Sequence, residues 1–315
     1  MLDLQGYSSY IQSHENMKGS QWLWGVTTDN MSGANAILLL SCPDKKGIIA
    51  GVSNFIFKHG GNIIHADQHT FLTEKRFFMR IEWELEGFNI PREDIVSAFD
   101  PLHREFNIKS DLYFTDEIPR VAVFVSKHIH CIHDLVLRYR MGEFRAEMPI
   151  VISNHADLKS LADHFGMEFH HFPITPENKR EQEKKILILL EEQCIDLIVL
   201  ARYMQILSGE FVAQYKNQII NIHHSFLPAF AGSQPYHQAY ERGVKIVGAT
   251  SHYVTEILDE GPIIVQDIIK ISHRDEVEDI KMKGKDIERM VLSKAVKLHL
   301  ENRILVHGSK TIIFE

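Results

Sequence analysis

Residues 177–201, ENKREQEKKILILLEEQCIDLIVLA, set a charged helix directly before an apolar run of strand length. The first half reads as a solvated helix face. The second, IDLIVLA, reads as a strand buried on both sides, as a parallel sheet covered by helices requires. The same alternation precedes it. RVAVFVS (120–126) predicts a strand, CIHDLVLRYR (131–140) a helix and MPIVIS (148–153) a strand. ADLKSLADHFG (156–166) then predicts a helix and EFHHFPI (168–174) a strand. Strands separated by helical crossovers imply a doubly wound, mostly parallel α/β sheet over 120–315. Ligands of such sheets sit beyond the carboxyl ends of the strands, which directs attention to ARYMQIL (201–207) and NIHHSFL (221–227).

Upstream the rhythm changes. AILLLSC (36–42) predicts a buried strand, PDKKG (43–47) a turn, and IIAGVSNFIFKHG (48–60) an amphipathic helix closed by Gly60. NIIHADQHTF and RFFMRIEWEL alternate like hairpin arms around LTEK. A second helix opens at Pro91, whose ring costs no hydrogen bond there, and Pro101 breaks or restarts it. IKSDLYF (108–114) closes the unit as a strand. The order βαββαβ over 34–115 is ferredoxin-like: an antiparallel sheet with both helices on one face. Residues 116–119 read as a linker, and 1–33 as an extension that is disordered or foreign to the native chain, with Met31 as an alternative start.

Composition narrows the function. The 315 residues are 44% hydrophobic and 24% charged, without an apolar run approaching the ~18 residues that span a membrane. A formal charge of -8 argues against a nucleic-acid partner. The three cysteines (Cys42, Cys131, Cys194) are scattered, which fits the reducing cytoplasm and gives neither a disulfide framework nor a zinc knuckle. The first 30 residues carry Lys18 as their only basic side chain and do not read as a targeting peptide.

Side chains alternate along a strand, so Asn221 and His223 project to one face and His224 to the other. An amide donor and a proton-shuttling imidazole on one face suit attack on a carbonyl. A carboxylate to hold the imidazole is offered by GATSHYVTEILDEGPIIVQ (248–266), where Asp259 sits on a loop with Gly261 and Pro262. There it can raise the imidazole pKa by charge proximity or act directly on a water. Glu256 and Glu260 compete by residue type alone. The pair His170–His171 suggests a metal, but adjacent strand residues face opposite ways, so no metal is expected.

Two resemblances sharpen this reading. CPDKKGIIAGVSNFIFKHGGNI (42–63) resembles the ACT regulatory domain, which implies an amino-acid site at a subunit interface lined by Asp44, Gly47 and Asn62. The bland alternative is that Asp44 merely caps a helix. NIHHSFLPAFAG with HQAYERGVKIVGATSHYVTEILDEGPIIVQ resembles the catalytic signature of the folate-dependent formyltransferase fold. That resemblance implies Asn221, His223 and Asp259 as the catalytic trio and His252 as its support. It implies a folate-binding segment Arg202, Tyr203, Met204, Gln205, Ile206 and Leu207, departing at Gln205, where many relatives carry arginine. Members that join an ACT unit to this fold hydrolyse 10-formyltetrahydrofolate to formate and tetrahydrofolate, supplying formate for purine synthesis and balancing one-carbon pools.

The combination therefore implies a folate substrate and water as partners, no cofactor, methionine and glycine as effectors, and a homo-oligomer. Two alternatives stand beside it: formyl transfer to an amine such as glycinamide ribonucleotide, and an amino-acid sensor with an inactive second domain. A transferase of that kind would cradle its substrate's phosphate in a glycine-rich loop after the first catalytic strand. Here that loop is SKHIHC (126–131), without a glycine.

Overall fold

The computed structural model describes residues 33–228 and 235–315. The extension expected over 1–33 therefore lies outside the described residues except for Gly33, as does the loop beyond Pro228 up to Gln234.

The first unit follows the predicted order. Strand β1 (Asn35–Pro43) is followed by α1 (Ile48–Lys58), β2 (Ile63–Phe71) and β3 (Arg76–Glu84). A 3-10 turn (Arg92–Asp94) starts directly after Pro91 and leads into α2 (Ile95–Ala98) and α3 (Asp100–Phe106), with Pro101 in the first turn of the restarted helix. Strand β4 (Lys109–Phe114) completes an antiparallel sheet of order β2-β3-β1-β4. One face of β1 packs Leu38 and Leu40 against Val52 and Ile56 of α1 and Phe99 between α2 and α3.

In the second unit, β5 (Arg120–Val125), α4 (His130–Arg140), β6 (Glu147–Ser153), α5 (Lys159–His164) and β7 (Glu168–His171) wind one way. The chain then crosses through α6 (Lys179–Glu192) to β8 (Leu197–Leu200) on the other side of β5, and continues through α7 (Gly209–Gln214) to β9 (Ile219–His223). After α8 (Pro235–Arg242), β10 (Ile246–Tyr253) and β11 (Ile263–Lys270) close a sheet of order β11-β10-β9-β8-β5-β6-β7. β5 to β9 pair in parallel, whereas β10 runs antiparallel to both its neighbours. Alternation along β5 builds both cores. Val121, Val123 and Val125 meet Leu135 of α4 and Val291 of the long helix α9 (Val277–Leu300), while Ala122 and Phe124 meet Ile186 and Leu190 of α6. The winding reverses between β5 and β8, so a crevice opens at their carboxyl ends.

The sequence pattern gives no element for 304–313, yet β12 (Ile304–His307) and β13 (Lys310–Ile313) form a hairpin. Its Ile312, with Phe314, covers Leu39 and Phe78 on the helix-free face of the first sheet. That explains why β1 is apolar on both sides. Arg80 of β3, 2% exposed, donates to the carbonyls of Glu301 and Asn302 just beyond α9 and pairs with Glu82. A buried guanidinium requires such partners, and a helix C-terminus favours a cation. Among the described residues no helix is long and apolar enough to cross a membrane.

Candidate active site

Strand β9 carries Ile222 into the core and leaves Asn221 and His223 on the opposite face. Antiparallel β10 places His252 directly across from Asn221, and Thr250 across from His223. Cross-strand neighbours share a face, so Asn221, His223 and His252 converge, with Thr250 alongside, before any loop contributes.

The loop between β10 and β11 adds the carboxylate. A Cβ on Gly261 would lie 1.6 Å from the Tyr253 carbonyl oxygen, so glycine alone lets the loop fold back onto β10. Asp259 adopts a left-handed backbone (φ 58°), a conformation that aspartate tolerates better than most residues. Its Oδ2 then lies 3.2 Å from His223 Nδ1 and its Oδ1 3.6 Å from His252 Nε2. Neither Glu256 nor Glu260 makes such an approach among the described contacts; the Glu256 side chain packs by Gly209.

Hydrogen bonding fixes the protons. His252 Nδ1 donates to the Tyr253 carbonyl at 2.9 Å, which leaves Nε2 to accept from Asn221 Nδ2 at 3.2 Å. One amide hydrogen of Asn221 remains to offer. With Nδ1 turned to Asp259, His223 presents Nε2, a buried atom with no partner among the described residues. The hydrogen bond from His223 Nδ1, with the His252 ring close beside it, holds the Asp259 carboxyl well below the usual carboxylate range, against the opposing effect of burial. It is therefore an anion at any working pH. Thr250 Oγ1 and Gln266, which the sequence reading passes over, bind the Leu227 backbone and set the chain that leaves His223. Both look like ordinary strand residues in sequence.

The segment from Arg202 to Leu207 divides. Tyr203 is buried edge-on against Phe124 and Leu207 joins the core, while Met204 (56% exposed) and Ile206 (59%) face outward with the half-buried Gln205 between them. Arg202 turns away toward Glu288 of α9, with Nε 3.5 Å from Oε2. The Met204 amide donates to Ser126 at the end of β5, which donates to Asn154. Exposed Phe226, Ile257 and Leu258 lie on the neighbouring loops and extend the apolar character of this edge. Apolar residues on loops flanking the trio are the signal that could have identified them.

His224 does not face away. The strand ends at His223, so alternation no longer governs the next residue, and the His224 ring lies 5.3 Å from that of His223. Burial, reinforced by Arg202, pushes its pKa down to about 4. His299, half-buried beside the Tyr253 hydroxyl, is also pushed down to about 4 by desolvation. Both are depressed below the ordinary value near 6.5, so the unfolded chain binds more protons as the pH falls below it. Stability should be complete above about pH 6.5 and fall progressively toward pH 4, by at most about 1.4 kcal/mol per pH unit per group. Urea unfolding midpoints at pH 7.5, 6 and 5 measure this, and a flat profile would refute it.

His170 approaches Glu168 at 3.0 Å and stacks on Phe172, while His171 is exposed, so the two do not form a joint site. His130, Cys131 and Glu288 bring donor atoms within 4.8 Å of one another. Burial pushes the Cys131 thiol well up and Arg202 already supplies positive charge, so the set suits an ion pair better than a thiolate cation site. In the first unit, the N-cap of α1 is Gly47 (φ 97°) rather than Asp44, whose backbone N–H bonds the Lys75 carbonyl. Asn62 donates to Glu84.

The chain is similar to known proteins over both of its parts. A family model described as formyl transferase matches residues 119–296, and one for the ACT domain matches 36–100. The chain is 54% identical over 284 residues to a formyltetrahydrofolate deformylase of Synechocystis, covering 90% of this chain and all of that protein. It is 50% identical over 278 residues to the deformylase of Bacillus subtilis, covering 88% and 93%. The crystal structure of a formyltetrahydrofolate deformylase from Pseudomonas syringae superposes with a TM-score of 0.87 at 39% identity, covering 98% of this chain and all of that one.

Proposed function

The chain belongs to the formyltetrahydrofolate deformylase family, and we propose that it hydrolyses 10-formyltetrahydrofolate to formate and tetrahydrofolate with Asn221, His223 and Asp259. The observation that carries the assignment of roles is the unpartnered, buried Nε2 of His223 opposite an ionised Asp259. A carboxylate held this far toward its anion is a poor proton acceptor. It serves instead to hold the ring and to balance an imidazolium. His223 Nε2 takes a proton from water as the water oxygen attacks the formyl carbon. The remaining Asn221 N–H stabilises the oxyanion, an interaction worth about 2.7–4 kcal/mol in comparable sites. The carbon–N10 bond then breaks, N10 takes the proton, and formate leaves.

Met204, Gln205 and Ile206 offer the outward surface for the pterin, with Phe226, Ile257 and Leu258 on the adjoining loops. The formyl group on N10 is an activated acyl group, so the reaction as drawn calls on no metal. Residues 34–115 form the regulatory part and 120–315 the catalytic part. Methionine and glycine are the proposed effectors, bound near Asp44, Gly47 and Asn62 where ACT units pair in a homo-oligomer. Free Cys42, Cys131 and Cys194 fit the cytoplasm.

The test is direct. Purified protein given 10-formyltetrahydrofolate without an amine should release formate and tetrahydrofolate in equal amounts. Turnover that begins only when an amine is added would favour the transferase reading instead.

A further inference from the structure

A second set of buried polar groups lies beside the trio and takes no part in the steps above. Glu288, on α9, is 1% exposed. Its Oε1 accepts from the Tyr236 hydroxyl at 2.5 Å, and its Oε2 lies 2.8 Å from His130 Nε2 and 3.5 Å from Arg202 Nε. Tyr236 faces the His224 ring at 5.9 Å, and His224 in turn faces the His223 ring at 5.3 Å. The set thus runs without a break from the helix to the imidazole at the centre of the site.

Its construction is costly. Buried ion pairs are often no more stabilising than apolar side chains of the same volume. Gly284, inside the 24-residue α9, adds a further cost of about 1 kcal/mol relative to alanine. A Cβ there would sit 2.2 Å from the Tyr236 hydroxyl oxygen and 2.4 Å from the ring carbon bearing it. The glycine therefore lets the Tyr236 ring lie on the helix backbone and reach Glu288. A general packing role would not call for a glycine, a tyrosine and a carboxylate fitted to one another.

The chemistry says what such a fixture is for. A primary amine attacking the formyl carbon would break the same carbon–N10 bond, pass a proton to N10, and yield an N-formyl amine and tetrahydrofolate. Asn221, His223 and Asp259 serve either nucleophile, so the trio alone does not select water. We propose that Tyr236 and His224, fixed by Glu288 over Gly284, are specificity-determining: they fill the space beside His223 that an amine would enter and leave room for water only. This rests on the deformylase reading and deepens it.

The test measures partition rather than rate. Full-length protein is given 10-formyltetrahydrofolate and hydroxylamine, with enzyme-free blanks subtracted, and formate and formohydroxamate are both quantified. Wild type should give formate almost exclusively. Tyr236→Ala, which removes the ring, and Gly284→Ala, which displaces it while keeping every polar group, should each raise the hydroxamate-to-formate ratio at least tenfold. Circular dichroism confirms that each variant is folded. Ratios equal to wild type in folded variants overturn the inference and leave the deformylase reading intact. A wild-type enzyme that makes no formate without hydroxylamine overturns both.

Discussion

Asp259→Asn should lower kcat by about three to four orders of magnitude while leaving folate affinity nearly unchanged. The substitution is isosteric, so the loop that rests on Gly261 keeps its path. What changes is the hydrogen at His223. The carboxylate now takes a hydrogen bond from Nδ1 at 3.2 Å. An amide turned with its NH2 toward the ring would require Nδ1 to accept, moving the ring hydrogen to Nε2, where no proton could be taken from water. In serine proteases the corresponding exchange costs about 10⁴ in kcat for this reason. At 1.36 kcal/mol per decade, the expected loss is about 4–5 kcal/mol of transition-state stabilisation. Single-turnover formate release with saturating folate measures it. Near-normal turnover with binding intact would show that the carboxylate neither orients the imidazole nor balances its charge.

The second large effect concerns the imidazole itself. His223→Ala should reduce kcat by about 10²–10⁴-fold, the usual contribution of a positioned acid or base, with a much smaller change in KM. Removing a ring that is only 7% exposed leaves a hole of its own shape, so added imidazole should restore part of the rate. Rescue of this kind distinguishes proton transfer from mere packing. If His223→Ala kept more than about a tenth of the wild-type rate, Asp259 would have to act on the water directly, despite its depressed proton affinity.

Much of this was legible in the sequence, for definite reasons. Asn221 and His223 are two residues apart on a strand, and period-two alternation alone puts them on one face. The hydrophobic runs of β5, β6 and β8 are continuous because both faces are covered, and they read as a parallel sheet. The choice of Asp259 over Glu256 and Glu260 was not legible from residue type. It depends on a left-handed backbone at 259 and on the contact of Gly261 with the Tyr253 carbonyl, both tertiary facts. Glu288 was hidden in a helix whose sequence is charged throughout. The partner of Arg202 was illegible for the same cause, because it lies on a helix 86 positions later. The hairpin at 304–313 was illegible since its apolar partners, Leu39 and Phe78, come from the opposite end of the chain.

The grip of Arg80 on the end of α9 has a practical meaning for anyone who would treat the two halves as interchangeable parts. Cutting the chain at 116–119 would strip two carbonyls of their donors and bare Ile312 and Phe314 to water. The catalytic half cannot be transplanted onto another sensor without a replacement lid for that surface, so modular shuffling of this protein must carry β3 along with the helix it secures.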